Sequence, residues 1–190
     1  DYNAQTVEKH VQSTLLLGQI TNAQERAKTL ADQYAGEVAK IEERLAALPK
    51  GAAPKVYVEL GRKGPGEVDN SYSGTQWGSV ITQVGGQNIA DGQIAKWGKL
   101  SPEYVLAQNP DAILLAGSGW AGRDQAVLMG PGVDTAVTQD RMAAYMTRPG
   151  WEGLTAVKSG KVFGVYHGGN RTLYDYAFLQ FIVKGLYPDA

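Results

Sequence analysis

The run SPEYVLAQNPDAILLAG, residues 101–117, decides the fold. Ser101 is a helix N-cap residue, Pro102 suits the first helical position, and Glu103 puts a negative charge in the first turn. Tyr104, Val105 and Leu106 give a short helix its apolar face. Asn109-Pro110 ends it, because the residue before a proline is pushed out of the α region. Asp111 leads into Ala112-Ile113-Leu114-Leu115-Ala116, an apolar run without alternation. Such a run predicts a strand covered on both faces, as in a parallel sheet flanked by helices. Gly117-Ser118-Gly119 then forms a loop at the strand's C-terminal edge, where α/β folds hold their ligands.

Working outward, the same grammar recurs. Lys55–Leu60 (KVYVEL) predicts a strand, and Gly61–Gly74 a glycine-rich loop. A helix bearing Trp77, Val80, Ile81 and Val84 follows, capped by Gly74 or Thr75 and ended by Gly85-Gly86. Asn88–Ala90 reads as a short strand. Asp134 caps a helix carrying Val137, Met142 and Tyr145, which Pro149-Gly150 breaks. Lys161–Tyr166 is the last strand and Arg171–Leu186 a terminal helix. Strands separated by helices predict an α/β fold, an open and mainly parallel sheet with helices on both faces.

The front of the chain differs. Thr6–Ile20 predicts an amphipathic helix, with Val7, Val11, Leu15 and Gly18 on one side and Leu16, Leu17 and Ile20 widening the stripe. Thr21–Leu48 predicts a second, longer helix, opened by a capping box of Thr21 with Gln24 or Asn22 with Glu25. Ala23, Ala27, Leu30, Tyr34, Val38, Ile41, Leu45 and Leu48 form its apolar face. At 1.5 Å per residue it would span on the order of 40 Å, suited to a strut between two lobes. A coiled-coil partner is the plainer alternative, but the repeat is short for one.

Composition excludes several classes. Eighteen basic against nineteen acidic residues give a net charge of -1, so nothing draws the chain generally to nucleic acid. No apolar stretch approaches a membrane span. With no cysteine there are no disulfides, thiolate metal sites or cysteine nucleophiles. Neither a G-x-S-x-G elbow nor an H-E-x-x-H pair is present. Gly61, Gly64 and Gly66 have the wrong spacing for a dinucleotide loop. Asp1-Tyr2-Asn3 lacks the basic start and apolar core of a secretory signal.

The S-x-E…N-P-D-(four apolar)-x-G run resembles the C-terminal lobe of substrate-binding proteins of ABC importers. The subgroup is the one with a long inter-lobe helix, serving ferric siderophores, haem, cobalamin or metal oxyanions such as molybdate and tungstate. The run Arg148-Pro149-Gly150-Trp151-Glu152-Gly153-Leu154, continuing to Val162, and the close Leu186-Tyr187-Pro188-Asp189 agree with it. The resemblance implies three parts: residues 1–20, a remnant helix of an absent N-terminal lobe; 21–48, the inter-lobe strut; and 49–190, the C-terminal α/β lobe. An extra helix packed on one domain is the alternative for the first part. The resemblance further implies a secreted precursor, periplasmic or a cell-surface lipoprotein, with no enzyme activity and no cofactor of its own. Its partners would be an ABC permease and a small metal chelate.

Three loops would line the cleft. In the family the loop after the first strand does so, which nominates Arg62 and Tyr72. Trp120 and Arg123 follow the opening strand, and an exposed tryptophan suits stacking on a planar cargo. His167 ends a strand and shares a loop with Arg171, Tyr174 and Tyr176. Imidazole and phenolate can complete the coordination of an incompletely chelated metal, which nominates His167 and Tyr174, and Arg171 can pair with carboxylate or catecholate oxygens. Arg171 at a helix start would oppose the dipole, a hint of function. The bland alternative is that His167 bonds the loop backbone and Tyr174 packs on the helix. His10, on the polar side of the first helix, reads as a solvated surface residue. The resemblance gives Glu103 a second role, docking an arginine of the permease. Two rival readings stand beside the receptor: a small α/β enzyme acting on an anionic substrate through His167 and Arg171, and an interaction domain without a small ligand. An isolated chain of this kind is expected to bind cargo weakly or not at all and is able to dimerise through the first helix.

Overall fold

The computed structural model describes residues 6–49, 51 and 53–188. Two helices come first, α1 (Val7–Ile20) and α2 (Gln24–Ala46). They are followed by β1 (Lys55–Leu60), β2 (Ser71–Tyr72), α3 (Gln76–Gln83), β3 (Gln87–Asn88), β4 (Trp97–Gly98), α4 (Pro102–Gln108) and β5 (Ala112–Gly117). The chain closes with α5 (Thr135–Met146), α6 (Thr155–Lys158), β6 (Val162–Tyr166) and α7 (Asp175–Leu186). The main sheet has the order β3-β1-β5-β6 and every pair in it is parallel. The expected fold class, an open parallel sheet with helices on both faces, is what the chain forms.

The decisive run folds as its residues dictate. The Ser101 hydroxyl accepts the Tyr104 N–H at 3.1 Å, and Asn109 stops α4 in the left-handed region at φ 45°. The Asn109 side chain then bonds the backbone and hydroxyl of Thr155, tying the corner to α6. All six residues of β5 are buried. Ala112, Leu114 and Ala116 face a core shared with α2, α3 and α7, whereas Ile113 and Leu115 face one shared with α4, α5 and α6. The strand period of two thus splits one run between two apolar layers.

The front of the chain corrects several expectations. Neither capping box forms: the Thr21 hydroxyl donates back to Leu17 O at 2.8 Å and Asn22 takes φ 53°, so both residues close α1 instead of opening α2. α2 starts at Gln24 without a side-chain cap and has 23 residues, about 34 Å of helix. Its buried residues are Ala27, Ala31, Tyr34, Val38 and Ile41. Only Gly18 of α1 is buried; a Cβ there would meet that of Ala27. Leu15, Leu16, Leu17 and Ile20 are exposed, Ile20 by 71%. His10 is not solvated. It stacks on Tyr34 at 5.2 Å and reaches Asp175 at 3.6 Å.

Elsewhere the differences are local. β3 covers Gln87–Asn88 instead of 88–90, and β6 begins at Val162. The antiparallel pair of β2 with β4 is too short for any periodicity to announce. α7 starts at Asp175, after a 3-10 turn at Gly169–Arg171, so Arg171 precedes the helix and the dipole argument for it falls. Of the closing motif, Asp189 lies outside the described residues, as do Asp1, Tyr2 and Asn3.

Candidate functional site

The loops after β1, β5 and β6 leave one edge of the sheet, because the three strands are parallel neighbours. Their roots are bonded together. Gly61 N donates to Ala116 O at 2.8 Å, Val127 N to Gly61 O at 2.7 Å, Ser118 N to Val127 O at 3.1 Å and His167 N to Gly117 O at 2.7 Å. Glycine is required at 117: a Cβ would sit 2.7 Å from Val127 O.

His167 is the centre of this edge. Its ring lies 6.1 Å from that of Tyr72, stacked at 30°, and 6.0 Å from that of Trp120. The three loops therefore each give one aromatic ring to a single cluster. Arg171 NH2 stands 3.1 Å from His167 Nε2 and 3.4 Å from Gln76 Oε1. A guanidinium only donates, so Nε2 accepts and the imidazole proton sits on Nδ1. Burial, and then the Arg171 charge, lower the His167 pKa to about 4. The ring is neutral at pH 7, with its outer nitrogen occupied by Arg171. Tyr72 is only 4% exposed, and burial together with the Asp69 carboxylate pushes its phenol up from the ordinary value, against Arg171 and Arg62.

The remaining nominated residues are placed less centrally. Trp120 is half-buried, its indole nitrogen without a hydrogen-bond partner among the described residues. Arg62 turns to the buried Asp69, with Nε at 3.2 Å from Oδ2 and NH2 at 3.3 Å from Oδ1. The Arg123 guanidinium is exposed and makes no hydrogen bond or ion pair among the described residues. Tyr174, 63% exposed, has Tyr176 at 6.4 Å as its ring neighbour, not His167. Glu103 is exposed in the first turn of α4.

Two features of the site lacked a local sequence signal. Gln76 has φ 46° at the head of α3, a left-handed conformation that side chains other than Gly and Asn seldom adopt. This strain aims its amide at Arg171. Asp69 is 1% exposed and sits in a network with Glu59 and Arg148. Those two are 89 positions apart, and nothing nearby in sequence announces the pair.

A profile of the periplasmic binding protein family matches residues 2–166. The chain belongs to that family, which is extracytoplasmic and consists of binding proteins, not enzymes. Among solved structures, the TroA-like periplasmic binding protein FepB from Veillonella parvula superposes with a TM-score of 0.93 at 32% identity, over 100% of this chain and 54% of that one. The periplasmic heme-binding protein RhuT from Roseiflexus sp. RS-1 gives 0.75 at 19% identity, over 98% of this chain and 65% of that one. An ABC-type Fe3+-hydroxamate transport system protein from Saccharomonospora viridis gives 0.72 at 18%, over 97% and 57%. The latter two share the fold. This chain spans about half to two thirds of the length of the relatives it matches. A search of curated protein sequences finds no significant match. No helix among the described residues is long and apolar enough to cross a membrane.

Proposed function

We propose that the chain is one lobe and the strut of a receptor that delivers a metal chelate, a ferric siderophore or related iron complex, to an ABC permease. The observation that carries this reading is the ring cluster of Tyr72, Trp120 and His167 at the common loop edge, with Arg171 beside it. Flat aromatic faces next to a guanidinium suit a bulky, partly aromatic anion. Among the described residues no group of three or more His, Asp or Glu could hold a bare metal ion, which favours a metal already wrapped in its own ligands. Arg62, Arg123 and Tyr174 would reach the cargo from the rim, Tyr174 completing coordination with His167 only if the cargo draws the two together.

The domain reading fits the same proposal. The exposed Leu15, Leu16, Leu17 and Ile20 form an apolar stripe on α1, suited to burial against a second lobe. Alone, the chain would dimerise through that stripe. Glu103 would dock the permease: Glu103→Ala in the complete receptor should keep cargo affinity and lower uptake. The working site would be periplasmic or, with a lipid anchor, the cell surface.

Titration of the complete receptor with ferric tris-hydroxamate, ferric tris-catecholate and haem, followed by tryptophan fluorescence, tests the reading. Saturable quenching by one of them, most of it lost in Trp120→Phe, is the expected result. No saturation with any of the three would overturn it.

A further inference from the structure

Arg148 opens the recognisable RPGWEGL run, yet it lies on the face of the sheet away from α2 and touches no cleft ring. It is 6% exposed, with its guanidinium between the rings of Tyr145 at 4.5 Å and Trp151 at 4.8 Å. NH1 and NH2 grip Glu59 at 2.5 and 2.8 Å, and Glu59 is fully buried. Three carbonyls of one segment are bonded as well: Nε donates to Pro65 O at 2.7 Å, and NH2 is shared further with Gly64 O at 3.1 Å and Glu67 O at 3.0 Å. The Glu59 carboxylate in turn accepts the Tyr57 hydroxyl and the Asp69 N–H. Asp69 holds Arg62 and the Asn70 N–H, and Asn70 O accepts Leu60 N, which delivers the chain to β2 and Tyr72.

Replacing a buried ion pair by apolar residues of similar volume is often neutral or stabilising, so the pair is poorly explained by stability alone. Its donors instead converge on the one loop that leads to Tyr72. Lysine could neutralise Glu59, but a point charge cannot span a carboxylate and three carbonyls as the planar fork does.

We propose that Arg148 is a positioning residue for the ligand cleft: clamped to Glu59, it fixes the segment from Gly64 to Asn70 on β1 and so sets Tyr72 against His167. This rests on the reading that the loop after β1 lines the cleft.

Three variants of the complete receptor test it: Arg148→Lys, Glu59→Gln, and the double replacement Arg148→Met with Glu59→Leu. In Arg148→Lys and in the double replacement, amide exchange at Gly64 and Asp69 should quicken about tenfold or more while Ile113 and Leu115 in β5 hold their protection; in Glu59→Gln, which strands the guanidinium, the loop amides should quicken by more than those of β5. The His167 ring-proton shifts, set by the stacked Tyr72, should move toward those of a Tyr72→Ala receptor. The double variant should keep wild-type thermal stability and still show the loose loop. Wherever ferric tris-hydroxamate binds the wild type, Arg148→Lys should weaken it about tenfold, mainly through faster release. A double variant with wild-type loop exchange and wild-type His167 shifts would overturn the proposal, since packing alone would then suffice. Loosening of β5 together with the loop in Arg148→Lys would overturn it as well. Should no chelate bind the wild type, the receptor reading fails, while the exchange and shift measurements still decide the clamp.

Discussion

The segment after β1 and the segment after β6 reach the same sheet edge, yet they treat buried ionisable groups in opposite ways. The first buries a guanidinium and a carboxylate that satisfy each other and three carbonyls. The second buries His167 Nδ1, both amide atoms of Asn170 and Asp175 Oδ1 without hydrogen-bond partners among the described residues. Where opposite charges meet, desolvation is offset; where they do not, it moves the pKa. Arg148 accordingly stays above its ordinary value: burial lowers it most, but the Glu59 bonds and charge, together with Tyr57 and Tyr145, outweigh that. His167 falls to about 4 and Asp175 rises to about 7, burial being the largest cause for both. One segment is a fixed wall. The other holds an uncharged His167 and an Asp175 that titrates near neutrality, and is open to change by a proton or a ligand.

The sharpest way to break the contrast is to unbalance the fixed wall. Glu59→Ala leaves a buried guanidinium without its carboxylate, and about 3–5 kcal/mol of stability should go with it. Urea unfolding at neutral pH measures the loss, and a change under 1 kcal/mol would mean that water replaces the carboxylate and the wall is not dry. The equivalent truncation after β6 should be far milder, because no buried charge is stranded there.

The next test uses pH, where the two segments should differ most plainly. Asp175 packs against His10 on α1 and hydrogen-bonds Tyr34 on α2. Its folded pKa of about 7 exceeds the unfolded 3.8, so the folded state holds the extra proton between those values. Stability from this group therefore grows as pH falls from about 7 toward 3.8. His167 runs the other way: its folded pKa of about 4 lies below 6.5, so only the unfolded state gains a proton between them, and stability falls as pH drops through that window. His10, also lowered by burial, adds to the His167 direction. The slopes oppose each other in the wild type. Asp175→Asn should expose the histidine fall and raise stability at pH 8 by on the order of 2–3 kcal/mol. His167→Gln should expose the carboxyl gain. Identical pH profiles for the two variants would remove the distinction between the segments.

How much of this was legible in the sequence follows the range of the interactions. Residues 101–117 announced their helix, corner and strand because capping, the proline rule and burial on both faces act within a few positions. The loops at one edge were legible too, since parallel strands fix which ends coincide. What escaped was set by contacts across the fold. Arg148 and Glu59 are 89 positions apart, and His10 looked solvated because its cover, Tyr34 and Asp175, comes from two other helices. The capping boxes failed because Thr21 and Asn22 had already been used to end α1. On α1 itself the apolar stripe was visible, and its exposure was not, because a pattern gives a face without its neighbour.

The smallest expected effect sits where the two segments meet. Gln76, on the β1 side, holds φ 46° and accepts from Arg171 on the β6 side at 3.4 Å. Asparagine tolerates the left-handed region but is one methylene shorter, so Gln76→Asn should change stability by under about 0.5 kcal/mol and release Arg171 from this contact. Valine, branched at Cβ, resists that conformation, and Gln76→Val should cost about 1–3 kcal/mol. Thermal unfolding ranks the pair, and the His167 ring shifts report whether Arg171 has moved. If valine is as well tolerated as asparagine, the strain at Gln76 is relieved by rotation of the peptide. The contact to Arg171 is then a consequence of the fold and not a condition that holds the two walls in register.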